Sequence, residues 1–437
     1  MSHRPNFVFI VADDLGYADL GCYGGRDAAF GAVSPVLDRI AANGLRFTQG
    51  YANSPVCSPT RFALMTARYQ YRLRGAAEEP INSKSRGSAT LGLPPEHPTL
   101  PSLLRAAGYR TALVGKWHLG YPPHFGPLRS GYEEFFGPMS GGVDYFTHAD
   151  SSGKHDLWVG EQSQVEDGYL TDLISERAVD WIGRMAQGDA PLLLSLHYTA
   201  PHWPWETRDD RGAKVEGSLF HLAGGNIHTY RRMIHHMDEG IGRVLDALQR
   251  AGRLADTLVV FTSDNGGERF SDNWPLVGGK MDLTEGGIRV PYVVQWPAVI
   301  APGGVSAQHC LTMDWSATML DAAGVTAHPD WPLDGVSLLP VLRDPAAAFA
   351  RPMHWRMNHR GQRACRDGRW KYLRVDGHDY LFDIDADERE RANRGPHEGD
   401  RLARMREQWE AWNATMPPIP EDATVSLGYS AKDMPQR

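Results

Sequence analysis

The chain has 437 residues, 42% of them hydrophobic, enough to bury a large core and to build one large α/β domain plus a smaller one. A formal charge of −8 and a pI near 6.1 exclude a global attraction to nucleic acid or an anionic membrane, so any anion must be met by a local positive site. Cysteines 22, 57, 310 and 365 are widely spaced and form no CxxC or Cys/His pattern, which argues against a disulfide framework and a zinc site.

Residues 7–12 are apolar on both faces, as a central parallel strand covered by helices should be. The run is too short for a signal peptide and lacks a small-residue cleavage site, and no apolar stretch reaches the roughly 18 residues that span a bilayer. A cytoplasmic chain without membrane partners is expected, periplasmic or secreted if a leader was removed. The strand ends in Asp13 and Asp14, where open α/β sheets bind ligands. Two adjacent carboxylates fit a cation between them; a solvated acidic turn or cap is the alternative.

Residues 35–43 read as a helix stopped by Gly44, and 45–51 lead to Cys57-Ser58-Pro59-Thr60-Arg61. Ser58 as N-cap and Pro59 in the first turn predict a helix start, with Phe62, Leu64 and Met65 as its apolar side. Cys57 just ahead of that N-terminus should be an acidified thiol; the alternative is a small buried hydrophobe. Residues 69–95 turn polar and read as a long surface loop at the rim of a site.

A helix over 99–107 and a strand over 109–114 follow, the strand running into Lys116 and His118, whose alternation can point both the same way if extended. Residues 121–165 show little periodicity and are expected to be loops. The amphipathic helix 169–185 and the buried strand 192–198 come next, with His202 after the strand. Helix 230–251 precedes strand 258–262, which ends at Asp264 and Asn265. Gly278-Gly279-Lys280 places a lysine on a flexible support, and a strand over 290–296 follows. Residues 370–374 and 380–384 read as an antiparallel hairpin, 399–412 as a helix, and the tail after Met416 as extended.

Strand ends across the chain therefore carry Asp13/Asp14, Lys116/His118, His202 and Asp264/Asn265. Three carboxylates and an amide oxygen form a hard donor set for Ca²⁺ or Mg²⁺ rather than zinc. Two lysines, two histidines and an arginine around it suit a tetrahedral oxyanion ester.

The motifs resemble those of type I sulfatases in the alkaline phosphatase superfamily. Cys57-Ser58-Pro59-Thr60-Arg61 matches the C-x-P-x-R signature, followed by Ala63-Leu64-Met65-Thr66-Ala67-Arg68. Val11-Ala12-Asp13-Asp14-Leu15-Gly16, Gly115-Lys116-Trp117-His118-Leu119-Gly120, Ala200-Pro201-His202, Ser263-Asp264-Asn265-Gly266-Gly267 and Leu381-Phe382-Asp383 continue it in the family's order. Thr60 stands where Ser or Ala is commoner, and Ala67 where Gly usually follows Thr.

The resemblance implies a large mixed, mostly parallel central sheet flanked by helices, alkaline phosphatase-like, over 1–350. A smaller C-terminal antiparallel sheet plus helix is expected over 351–437. It implies a formylglycine-generating enzyme that oxidises Cys57 to Cα-formylglycine, whose hydrated aldehyde is the nucleophile. Asp13, Asp14, residue 57, Asp264 and Asn265 would hold one divalent metal, Ca²⁺ first, Mg²⁺ or Mn²⁺ otherwise. By the same resemblance, a metal-held hydroxyl, deprotonated toward Asp264, attacks the sulfur of an aryl or carbohydrate sulfate. Lys116 and Lys280 clamp the sulfate, His202 and Lys280 stand at the leaving oxygen, Arg61 anchors the diol, and His118 takes the proton that lets sulfate leave. A phosphonate monoester or phosphodiester hydrolase with the same aldehyde is the alternative, as is a non-catalytic anion-binding protein if Cys57 stays a thiol.

Overall fold

The computed structural model describes residues 4–25, 30–73, 81, 85–211 and 224–419. In chain order the strands are β1 (Asn6–Ala12), β2 (Leu45–Phe47), β3 (Gly50–Tyr51), β4 (Arg110–Gly115), β5 (Glu134–Gly137), β6 (Trp158–Val159), β7 (Gln162–Ser163) and β8 (Leu192–His197). They continue with β9 (Thr257–Ser263), β10 (Tyr292–Gln295), β11 (Gly304–Ser306), β12 (Cys310–Leu311), β13 (Met353–Met357), β14 (Gln362–Asp367), β15 (Trp370–Val375) and β16 (His378–Asp383). Ten of them form one sheet in the order β11-β2-β10-β9-β1-β8-β4-β5-β6-β7.

β9, β1, β8, β4 and β5 run parallel, whereas β10 is antiparallel to both its neighbours. β1 is buried at every residue because each face is covered. Val8, Ile10 and Ala12 pack with α1 (Pro35–Ala42), α4 (Leu170–Met185) and α5 (Ile227–Arg250). Phe7, Phe9 and Val11 pack on the other side with α2 (Cys57–Thr66), α3 (Leu100–Ala106) and α7 (Thr312–Ala322). Between α5 and α7 a single turn, α6 (Glu285–Ile288), precedes β10, and α8 (Leu339–Arg343) follows α7.

β13 to β16 make a four-stranded antiparallel sheet with α9 (Gly399–Asn413) beside it. This is the mixed, mostly parallel sheet with a small antiparallel companion expected from the sequence. The two parts share apolar packing: Met353 and Trp355 lie in one cluster with Val56, Ala63 and Ile288.

Three expectations need correction. β5 and the short β6 and β7 lie inside 121–165, where only loops were expected; these strands are too short for alternation to register. β13 and β14 precede the expected hairpin, so the C-terminal sheet has four strands. The 69–95 segment is not all surface, since Tyr69, Tyr71, Leu73 and Ile81 are buried. Most of the tail after Met416 lies outside the described residues. Among them, no helix is long and apolar enough to cross a membrane.

Candidate active site

Parallel strands in register bring their carboxyl ends to one edge, and this sheet does so for chemistry-bearing residues far apart in sequence. Asp13 and Asp14 follow β1, Lys116 follows β4, His202 lies beyond β8, and Asp264 and Asn265 follow β9. The loop after Asn265 brings in Glu268 and Lys280, and α2 delivers Cys57 and Arg61 from the first turns of its helix. Cys57, Arg61, Lys116, His118, His202, Lys280 and the four metal-ligand candidates are all buried, none more than 5% exposed.

Lys116 Nζ lies 2.5 Å from Asp13 Oδ2, and Lys280 Nζ 2.6 Å from Asp14 Oδ2. Arg61 holds Asp264 Oδ2 through Nε at 3.0 Å and Nη2 at 2.8 Å, and its Nη1 donates to the Lys116 carbonyl at 3.2 Å. Asn265 Nδ2 donates to Asp14 Oδ1 at 2.7 Å, and Cys57 Sγ lies 3.9 Å from the same oxygen. Ligand atoms of Asp13, Asp14, Cys57 and His202 all fall within 4.8 Å of one another.

The histidine tautomers follow from their partners, because a carbonyl can only accept. His118 Nε2 meets the Ile81 carbonyl at 2.5 Å and must carry its proton there, leaving the buried Nδ1 as an unpartnered acceptor. His202 Nδ1 meets the Trp203 carbonyl at 2.6 Å, so its Nε2 lone pair faces Asp14 Oδ2, 3.5 Å away. Burial, above all, pushes both rings well below the ordinary histidine range, with Lys116 adding to it in each case. The extended alternation expected for Lys116 and His118 is broken by left-handed backbone at His118 (φ 60). Gly141 and Gly142 cover the two rings: a Cβ on Gly141 would lie 2.5 Å from His118 Cε1, and one on Gly142 2.9 Å from His202 Cε1.

Burial raises Asp13 to about 8; Lys116 opposes this, while Asp264 and Asp14 reinforce it. Burial also acts to raise Asp14, but Lys280 above all outweighs it and holds that carboxyl far below its usual range. Asp13 Oδ1 and Asn265 Oδ1 are buried without a hydrogen-bond partner. Crowded carboxylates with orphaned oxygens fit a hard divalent cation, although the converging group also holds the Cys57 sulfur and a His202 nitrogen and leaves out Asp264, whose Oδ2 is held by Arg61.

The structure also revises the reading of the Cys57 stretch. α2 begins at Cys57 itself, with Val56 as an extended N-cap that makes no side-chain cap. Ser58 is not the cap; its hydroxyl accepts the buried Ile81 N–H at 2.8 Å, an amide that would otherwise be costly to bury. The thiol is not acidified, since burial outweighs Lys116 and Lys280 and pushes it well up. Ala67 is the left-handed C-cap of α2 (φ 53), which explains why glycine suits that position. Three aromatic residues that follow β4 and β8 in sequence, Tyr121, Trp203 and Trp205, are buried, Trp205 with its ring centroid 4.7 Å from that of Phe270.

Sequence reading missed Glu268 and His197. Glu268 is 2% exposed, neither of its oxygens has a hydrogen-bond partner, and Lys280 Nζ is 3.8 Å from one of them. Its position directly after the Asp264–Gly267 motif was the available signal. His197 ends β8 and meets the Lys116 carbonyl at 3.3 Å; as one polar residue closing an apolar run it carried none.

A family model described as Sulfatase matches residues 5–325, and one described as N-sulphoglucosamine sulphohydrolase, C-terminal, matches 279–400. N-acetylgalactosamine-6-sulfatase of Homo sapiens is 33% identical over 363 residues, covering 77% of this chain and 66% of its own length. Steryl-sulfatase of Mus musculus is 32% identical over 427 residues, covering 78% and 65%. The chain thus spans just under two thirds of the length of these curated relatives. The structure of Ps i-CgsB in complex with k-i-k-neocarrahexaose superposes with a TM-score of 0.82 at 30% identity, covering 94% of this chain and 92% of that one. The PsFucS1 sulfatase from Pseudoalteromonas sp. shares the fold, with a TM-score of 0.76 at 23% identity over 95% and 92% of the two chains.

Proposed function

The chain belongs to the sulfatase family, and from that premise we propose that it hydrolyses a carbohydrate or aryl sulfate ester, using Cα-formylglycine made from Cys57 and one divalent cation, Ca²⁺. The observation that carries this reading is convergence: Cys57 lies against Asp14 in a buried acidic cluster whose surrounding groups are Arg61, Lys116 and Lys280. The name N-acetylgalactosamine-6-sulfatase and the hexasaccharide in the Ps i-CgsB complex support a sugar sulfate as the preferred class.

Asp13, Asp14, Asp264 and Asn265, with residue 57, would hold the cation, which when bound supplies Lewis acidity and neutralises sulfate charge. Formylglycine at residue 57 would supply a hydrated aldehyde as the nucleophile. Lys116 and Lys280 offer ammonium groups to sulfate oxygens from fixed positions. Arg61 keeps Asp264 in place through two contacts. His202 would serve the leaving oxygen as an acid only once Nε2 takes up a proton, with Asp14 3.5 Å away to stabilise the imidazolium, while His118, anchored by Nε2–H to Ile81, keeps Nδ1 open to receive a proton.

The test is mass spectrometry of the peptide containing residue 57, with parallel rates on 4-nitrophenyl sulfate and phenyl phosphonate. An aldehyde and a dominant sulfate rate, lost with EDTA and restored by Ca²⁺, are expected. A dominant phosphonate rate would make the protein a phosphonate hydrolase, and a fully retained thiol would make it an anion-binding relative.

A further inference from the structure

A cleft of about 610 Å³ opens between the 271–278 loop and residues 389–391 of the C-terminal part, within the size range of small-ligand pockets. The loop is tied to the catalytic site at both ends, since it leaves Glu268 and returns to Lys280. Asn273 fastens those ends together: it accepts the Gly267 N–H and donates to the Gly267 and Gly278 carbonyls, each at 3.1 Å.

Trp274 stands in this cleft 59% exposed, with the Arg389 guanidinium 4.3 Å over its ring. Arg389 Nε is buried without a hydrogen-bond partner, and among the described residues neither Arg389 nor Arg391 has a carboxylate within ion-pair reach. The neighbouring acids are turned elsewhere. Asp387 accepts the N–H groups of Arg391 and Ala392 at 2.8 and 2.7 Å, Glu388 reaches Arg289 at 3.7 Å, and Glu390 reaches Lys371 at 2.8 Å. Asp272, also on the cleft wall, accepts the Trp274 N–H at 3.0 Å. An exposed indole beside two surplus guanidinium groups matches a ring that carries an anionic substituent, because Arg pairs carboxylate or sulfate through a planar fork and the indole offers a flat apolar face.

We propose that this cleft binds a second anionic sugar unit, uronate or sulfated, of the same chain whose sulfate ester enters the catalytic pocket. The proposal rests on the sulfatase reading above and makes an anionic oligosaccharide the substrate. Trp274 is the stacking platform, and Arg389 and Arg391 hold the charge.

Binding is tested first on Cys57→Ala protein, in which turnover is blocked, by calorimetry with a chondroitin 6-sulfate tetrasaccharide and, as a neutral control, an N-acetylglucosamine tetramer. Trp274→Ala and the Arg389→Ala/Arg391→Ala pair should each weaken tetrasaccharide binding by about tenfold or more, as expected for lost charged hydrogen bonds or a lost aromatic contact. Unchanged affinity, or wild-type binding no tighter than for the neutral tetramer, overturns the proposal. In the Cys57-containing enzyme, kcat/KM on the tetrasaccharide should fall severalfold more than on 4-nitrophenyl sulfate. Equal losses would mean that these side chains only support the fold, and the proposal fails. Arg391→Ala alone, at an exposed position, gives the same comparison if the other variants fold poorly. A wild type that turns over neither substrate would sink the sulfatase reading, while the calorimetry still decides the cleft.

Discussion

Two buried ionic clusters lie close in this molecule, and they differ in how their oxygens are satisfied. Where the small sheet meets the large one, Lys371 Nζ sits 2.9 Å from Glu285 Oε1 and 2.8 Å from Glu390 Oε1. Glu285 Oε2 accepts from the Tyr51 hydroxyl at 2.7 Å and from Arg366 at 3.2 Å, and Glu390 Oε2 accepts the Glu285 N–H at 2.7 Å. Three of these four carboxylate oxygens accept a hydrogen bond, and the fourth, Glu390 Oε1, has none but lies 2.8 Å from the Lys371 ammonium. At the strand ends, by contrast, Asp13 Oδ1, Asn265 Oδ1 and both oxygens of Glu268 have no hydrogen-bond partner, at equal burial. Burial and charge are common to both, so neither marks a site. An accumulation of unsatisfied oxygens does, four at the strand ends against one beside Lys371, because a buried acceptor without a partner is costly unless something else is to bind it.

That contrast can be broken by substitution. The largest effect is expected for Cys57→Ala, which should lower kcat/KM on an aryl sulfate by about 10⁴ or more, as loss of a nucleophile does. Its thermal midpoint should move little, which a melt alongside the steady-state assay checks. A variant that keeps wild-type turnover ends the proposed mechanism.

Lys371→Met attacks the closed cluster instead. It leaves Glu285 and Glu390 without their shared cation and should cost about 3–5 kcal/mol in urea unfolding, the usual penalty for an orphaned buried charge. Turnover of the folded fraction should be the lesser change. If activity collapses while stability holds, the two clusters are not functionally separate.

Lys280→Ala should reduce kcat by about 10²–10³, the scale of a lost oxyanion donor. Added Ca²⁺ should raise its melting temperature without restoring kcat; rescue of both would assign Lys280 a purely structural role.

The smallest effect is a pH effect on the C-terminal side. His354 stacks on Trp412 with ring centroids 5.0 Å apart, and burial, with Arg351 nearby, pushes it from 6.5 down to about 4. The unfolded chain takes up this proton below 6.5 and the folded chain only near 4. The His354 contribution is therefore fully present above pH 6.5 and lost as pH falls toward 4, by about 2–3 kcal/mol. His354→Leu should flatten that part of the stability profile in urea titrations at pH 4.5 and 7. An unchanged acid slope would show that the ring is protonated in the fold.

Much of the fold near the site was legible in the chain. β1, β8 and β9 are continuous apolar runs, and α4 and α5 carry helical periodicity long enough to register, α5 starting slightly earlier because Asn226 caps it. Short β5, and β13 and β14 with Arg and His among their buried residues, carry no such pattern and form only because a partner strand is present.

The sequence by itself determined that Asp13, Asp14, Lys116, His202, Asp264 and Asn265 stand at strand ends, since strand and turn signals belong to neighbours along the chain. Only the tertiary structure decided that Ser58 serves Ile81, that Cys57 is buried rather than acidified, that Glu268 joins the cluster, and which histidine nitrogen is open. Desolvation and hydrogen-bond satisfaction are set by groups up to hundreds of residues apart, and no local pattern encodes them.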